Sequence, residues 1–464
     1  MPKRPPSFHA GVESATQQGK LNGFIELSQK LSQEQTTYFH WDEFRHRISK
    51  RNELNQEEQW AALKFSRQSK YQYLPFTDIQ DRPFCFFITQ DSFEKLHNID
   101  MSCGGALPIH NEVINPDTRD RYYITSLIEE SLTSSQIEGA VVTRSEAKEL
   151  IRKGRRPINN HEQMVLNNFR TMQQISEWKN EELTPSLILE IQRSVTTGTL
   201  DNPNHVGSFR NNNDVNDVDE ESNEVFHNPP SHEQIEAQIQ ALCDFANDKA
   251  MKGFLHPAIR AIVVHFWFAY LHPCFDGNGR TARALFYWTM LKNDFWLFEF
   301  ISISHEIKKA PKKYYRAFLH CETDEGDLNY FIHHQLPVIT NAIQALHHYL
   351  DRQRNEYQKV ASLLNNQSDF NHRQLALFKH ALKHQHAIFT VQSHLHRAKP
   401  SEQSQDRQSD CSYRLAAIGK IWILASIQIW TKHNLEPSPR SQRKAIHLEQ
   451  IPILRVLLHA RGWT

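Results

Sequence analysis

Residues 256–271, "HPAIRAIVVHFWFAYL", read as a helix that is nearly apolar all round. A helix that is apolar all round must be enclosed by other elements, so this segment is the expected centre of a buried core. Pro273 disfavours continuation past His272. The neighbouring sequence supplies amphipathic partners. In "PDTRDRYYITSLIEESLTSSQIEGA" the residues Ile124, Leu127, Ile128, Leu132 and Ile137 recur at helical spacing, which predicts a helix over about 117–138 that stops near Gly139. "TRSEAKELIRK", "NHEQMVLNNFRTMQQISEW" and "TPSLILEIQRSVTTG" follow the same pattern, with Thr143 and Asn160 as expected N-caps and Gly198 as a stop. Fifteen glycines in 464 residues argue against a loop-rich all-β design. The chain is therefore predicted to be mainly α.

At 464 residues the chain exceeds one compact domain. Residues 1–36 are polar and expected to be disordered, 37–113 to form an N-terminal helical region, and 114–350 a helical domain with its core over about 185–335. After a polar linker, "NNQSDFNH", residues 365–464 form a distinct segment. Helical periodicity breaks over 200–230, "DNPNHVGSFRNNNDVNDVDEESNEVFHNPP", which suits a long surface loop or a short hairpin. Fifty-three basic and fifty-three acidic residues cancel, so no net field favours nucleic acid or a membrane. Six cysteines without CxxC or CxH spacing indicate neither a zinc site nor a disulfide framework. The polar start and the interrupted apolar runs provide neither a signal peptide nor a membrane span, and a cytoplasmic location is expected.

The segment after the apolar helix, "HPCFDGNGRTAR" at 272–283, concentrates chemistry. The helix end delivers the His272 imidazole to the mouth of a loop. "DGNG" supplies residues that tolerate positive φ, so successive N–H groups can form an anion-binding nest. The next helix, expected from about Arg280, points its positive end at the same spot, and Arg280 and Arg283 share one of its faces. Either feature alone is ordinary; together they describe a polyphosphate cradle. A lone carboxylate there, Asp276, makes sense as the ligand of a Mg²⁺ that bridges phosphate oxygens. His272 is suited to take a proton from an attacking hydroxyl. The residues thus point to metal-assisted transfer from a nucleoside triphosphate, without the GxxxxGK[ST] of a P-loop.

The segment resembles the Fic (Fic/Doc) signature, HxFx[DE]GNGRxxR, matched at His272, Asp276, Gly277, Asn278, Gly279, Arg280 and Arg283. "VGSFR", "FHNPP" and "YYRAF" extend the resemblance over roughly 115–350. Cys274 stands where the family usually has phenylalanine, a substitution expected to loosen the loop unless Phe275 compensates. The resemblance implies a Fic-type helical bundle with a short β-hairpin flap, expected at 211–230. It also implies AMP transfer from ATP to a hydroxyl of a target protein, which could be the protein itself. His272 would be the general base, Asp276 the Mg²⁺ ligand, and Gly277, Asn278 and Gly279 the α- and β-phosphate nest. Arg280 would steady the phosphates and Arg283 would grip the γ-phosphate. Of Tyr314 and Tyr315, similar to family residues near the adenine, Tyr315 would be the cofactor contact.

"SSQIEG" at 134–139 resembles the family's inhibitory [ST]xxxE[GN] sequence, with Ser134 and Glu138 at i and i+4 on one face. The resemblance implies that Glu138 pairs with Arg283 in place of the γ-phosphate, leaving ATP in a non-productive pose; in some relatives this glutamate also supports AMP removal. "CETDEGDLNYF" lacks the EF-hand pattern and reads as a solvated helix connection. Residues 365–464 resemble a winged-helix appendage without a clear wing, and dimerisation or target docking is as good a reading as DNA binding. The alternatives are therefore a nucleotide-sensing regulator that binds DNA or a partner through this segment, or an enzyme with another nucleotide donor.

Overall fold

The computed structural model describes residues 2–34, 38–48, 53–103, 116–214, 217–218 and 225–365, all within one compact unit. From residue 366 onward the predicted winged-helix-like segment lies outside the described residues.

Two helices open the chain, α1 (Phe8–Gln17) and α2 (Leu21–Glu34), followed by α3 (Trp41–Phe44) and α4 (Gln56–Gln68). This corrects the expectation of disorder over 1–36. A thin apolar stripe, Phe8, Val12, Ala15, Phe24 and Leu27, is enough to cover Leu54, Ala61 and Ala62. Gly11 permits the contact, because a Cβ there would lie 2.6 Å from the Ala61 Cβ. The N-terminal region is also not purely helical. Strands β1 (Gln72–Thr77) and β2 (Pro83–Phe86) form an antiparallel hairpin, and Phe76 stacks on Trp267 with centroids 4.5 Å apart. Helix α5 (Gln90–Cys103) follows.

The main body contains α6 (Pro116–Ile137), α7 (Arg144–Lys153), α8 (Asn160–Trp178) and α9 (Pro185–Thr196). Gly139, at φ 86°, ends the α6 segment as its composition suggested. Thr143 caps α7 through a capping box with Glu146. The cap of α8 is Asn159 rather than Asn160, because Asn159 stands three residues before Glu162 and accepts its N–H. After the 200–230 segment come α10 (Ile235–Ala246), α11 (Pro257–Leu271), α12 (Asn278–Lys292), α13 (Ile303–Lys308), α14 (Pro311–Thr323) and α15 (Asn329–Asn365). Helix α11 is the apolar segment. It is buried almost along its length and enclosed by α10, α12 and α15, with Phe84 and Trp267 fixing the first hairpin to it.

Two acids of "CETDEGDLNYF" are not solvated, although Glu325 is exposed. Asp324 and Asp327 are buried; Asp324 meets Lys64 at 3.0 Å, and Arg67 lies 4.0 Å from Asp327. Tyr330 donates to Asp324 at 2.7 Å and Tyr71 to Asp327 at 2.7 Å. This network ties α4 to the turn between α14 and α15. Burial works against the Asp324 charge, but Lys64, Tyr330 and Arg67 together hold the carboxyl below its ordinary pKa.

Candidate active site

Helix α11 ends one residue before His272, which adopts φ 46° and ψ 56°. A left-handed conformation costs a residue with a Cβ about 1–2 kcal/mol, so the surroundings must hold it. Arg210 does so, donating from Nε to the His272 carbonyl at 2.9 Å and from its backbone N–H to Pro273 O at 2.8 Å. Its other guanidinium nitrogens bond Asn212 O, Asn213 Oδ1 and Pro230 O. One buried cation therefore joins the histidine to both legs of the 211–230 segment. In the sequence only the family resemblance of "VGSFR" hints at Arg210, because the partners of its guanidinium lie up to 62 residues away.

The loop around Cys274 is held at several points. Cys274 is fully buried, pairs its backbone with Phe209, and has its N–H and C=O engaged by the Asn278 side chain at 2.9 and 2.8 Å. Backbone hydrogen bonds do the anchoring, and Phe275 stacks on His205 with centroids 3.6 Å apart. Burial pushes the Cys274 thiol up, which leaves it a packing group.

Helix α12 begins at Asn278, two residues earlier than expected, because Gly277 at φ 78° turns the chain directly into it. A Cβ on Gly277 would lie 2.6 Å from Thr196 Cγ2, so only glycine fits. Asn278, Gly279 and Arg280 thus form the first helical turn, whose N–H groups have no intrahelical acceptor. Asp276 stands half-exposed beside this turn, its Oδ1 accepting from Gly277 N at 2.5 Å and its Oδ2 3.5 Å from Arg280 Nη2. Arg280 is buried and donates to Val195 O at 2.9 Å; burial lowers its pKa against the pull of Asp276.

Arg283 is buried and engaged. Its Nε donates to Ser134 Oγ at 2.8 Å, and its Nη2 to Ser134 O at 3.0 Å and to Glu138 Oε1 at 2.9 Å. Burial opposes its charge, yet Glu138, Tyr314 and Glu130 together keep the guanidinium above its ordinary pKa. The Glu138 carboxylate also lies over the start of α12, where a Cβ on Gly279 would come 2.2 Å from Oε1. A carboxylate of the chain thus sits where a helix N-terminus and an arginine converge on an anion. Tyr314 is buried, hydrogen-bonds His265 at 2.9 Å and feels the charges of Arg283 and Glu138, whereas Tyr315 is 42% exposed.

Within 211–230, strands β3 (Asp217–Val218) and β4 (Val225–His227) pair antiparallel, Asp217 opposite His227 and Val218 opposite Val225. His227 anchors this hairpin to the end of α11, its Nε2 bonding Tyr270 O at 2.6 Å. Among the described residues no helix is long and apolar enough to cross a membrane.

Comparison with known proteins places a Fic/DOC domain in this helical core, where residues 182–290 match the Fic/DOC family model. Protein adenylyltransferase Fic of Nematostella vectensis is 36% identical over 110 residues, 23% of this chain and 22% of that protein. Protein adenylyltransferase Fic of Drosophila willistoni is 34% identical over 107 residues, 22% of this chain and 19% of that one. The match therefore spans about a fifth of these relatives' length. A crystal structure of a Fic family protein from Desulfovibrio desulfuricans G20 shares 20% identity at a TM-score of 0.47, covering 59% of this chain and 76% of that one. Glu138 and Ser134 lie outside the family match and reach the cradle from α6.

Proposed function

We propose that the protein transfers AMP from ATP to a hydroxyl of a target protein and that Glu138 restrains the reaction. The observation that carries this reading is the Glu138 carboxylate on Arg283 and over Gly279, because a site that holds one anion there can hold phosphate. The names of the curated relatives support the reaction class. The α- and β-phosphates would rest on the N–H groups of Gly277, Asn278 and Gly279 and against Arg280, and the γ-phosphate would take the place of Glu138 on Arg283. Tyr315, exposed on α14, is the candidate contact for the adenine.

Asp276 fits a Mg²⁺ ligand: it is a single half-exposed carboxylate beside the nest, and Mg²⁺ sites of this kind use one or two carboxylates plus phosphate oxygens. When bound, the ion would neutralise phosphate charge. His272 would remove the proton of the attacking Ser, Thr or Tyr hydroxyl, whose oxygen bonds to the α-phosphorus as the bond to the bridging oxygen breaks and pyrophosphate leaves. The β3–β4 hairpin offers a strand edge on which the target backbone could be aligned. Loss of the base should lower transfer by about 10²–10⁴-fold. His272→Ala protein is thus expected to gain no detectable AMP by mass spectrometry, even when combined with Glu138→Gly; undiminished AMP addition would refute the assignment.

A further inference from the structure

Glu138 stands just past the last residue of α6, and its side chain is 28% exposed. Its placement over Gly279 therefore depends on where α6 sits along α12. Three contacts report that register. Glu138 lies against Gly279, Ser134 against Arg283 and Glu130 against Tyr287, so the position on α12 rises by four as that on α6 falls by four. The two helices run antiparallel with one polar stripe between them.

The three positions on α6 are not equivalent. Glu130 is buried and accepts from Tyr287 OH at 2.8 Å, Ser302 Oγ at 2.8 Å, Ser304 N at 3.0 Å and Ser304 Oγ at 2.5 Å. Tyr287 OH in turn accepts the Ile303 N–H at 2.9 Å. The neighbouring Glu129 faces outward to Arg144 at 2.7 Å and His305 at 3.1 Å. Apolar contacts such as Leu127, Ile128 and Leu132 tolerate a sliding helix, whereas a buried carboxylate surrounded by fixed donors does not. A slide of one turn, about 5.4 Å, would strip Glu130 of all its partners.

We infer that Glu130 is a positioning residue that fixes the register of α6 and so holds Glu138, about 12 Å further along, over the phosphate cradle. The inference rests on the proposed AMP transfer and its restraint by Glu138. Loss of Glu130 should release Glu138 and raise transfer, the opposite of what a purely structural defect would do.

The test compares wild type, Glu130→Gln, Ser304→Ala, Glu138→Gly and the double variant Glu130→Gln/Glu138→Gly. Each is checked for folding by circular dichroism and incubated with labelled ATP, and hydrogen exchange of the 130–138 amides is followed. Self-labelling is expected to rise about tenfold in Glu130→Gln and about threefold in the milder Ser304→Ala, as fits the loss of a charge-assisted network and of one hydrogen bond. The double variant should label no more than Glu138→Gly, and exchange at 134–138 should quicken in both single anchor variants. Should Glu138→Gly label strongly while the folded anchor variants stay at the wild-type level, the inference is overturned and the transfer reading stands. Should Glu138→Gly itself stay unlabelled, the transfer reading fails, and exchange alone decides: unchanged protection at 134–138 overturns the anchoring role. If Glu130→Gln does not fold, Ser304→Ala decides on the same criteria.

Discussion

Lys64 meets Asp324 at 3.0 Å with neither side chain more than 5% exposed, while Arg283 meets Glu138 at 2.9 Å with the carboxylate 28% exposed. Both are cation–carboxylate contacts between a helix and the core, yet they sit in different surroundings. Around Asp324 and Asp327 the acceptors are taken up by Lys64, Arg67, Tyr71 and Tyr330, so removal of one partner strands a charge in the interior. Arg283 also donates to Ser134 Oγ and O, and the Glu138 carboxylate on it faces solvent in part. The first contact is a fastening; on the proposed function the second is an exchangeable occupant. On that reading the same pairing of charges is structural or regulatory according to what else satisfies the cation and whether another anion has access.

The sharpest way to break this comparison is Lys64→Met. It should cost about 3–5 kcal/mol, read as a drop in the denaturant midpoint, and a loss below about 1 kcal/mol would remove the distinction. Acidification should give an intermediate effect. His40 and His320 stack with centroids 3.9 Å apart where α3 meets α14, and burial lowers their pKa values to about 4 and about 3. The unfolded chain takes up these protons near pH 6.5 and the folded one resists until far lower, so stability should decline progressively as pH falls from about 6.5 toward 4. His320→Phe should flatten that decline; an identical pH profile would mean that the pair does not titrate as described. Asp324 acts lower still, its contribution intact above its ordinary pKa of 3.8 and lost as pH falls through its lower folded value. The smallest effect is expected from Glu138→Ala, below about 1 kcal/mol in the same denaturation experiment. A loss as large as that of Lys64→Met would make the Glu138 contact a fastening too.

The parts legible in the sequence are those whose contacts are local. The apolar helix at 257–271, its end at His272 and the turn through Gly277 are set by residues a few positions apart, and they fold as their composition indicates. Helices α1 and α2 were missed because the stripe that packs them, Phe8, Val12 and Phe24 among polar neighbours, gains its value only against Ala61 and Ala62, far along the chain. The acids at 324 and 327 were misread for the same reason: their cations are Lys64 and Arg67. At the site, Glu138 and Ser134 were visible only through a resemblance, and Glu130 gave no sign at all. On a helix reading "IEESLTSS" a second acid looks like polar surface, and its donors, Tyr287, Ser302 and Ser304, lie more than 150 residues away.

The most direct measurement is intact-mass spectrometry of Glu138→Gly protein beside wild type after incubation with ATP and Mg²⁺. If Glu138 holds the place of a phosphate on Arg283, the variant is expected to gain AMP at a level about tenfold above wild type, matching the loss of one charge-assisted contact. Equal or lower AMP addition in the variant would contradict the account, because the carboxylate on Arg283 would then not be what restrains the site.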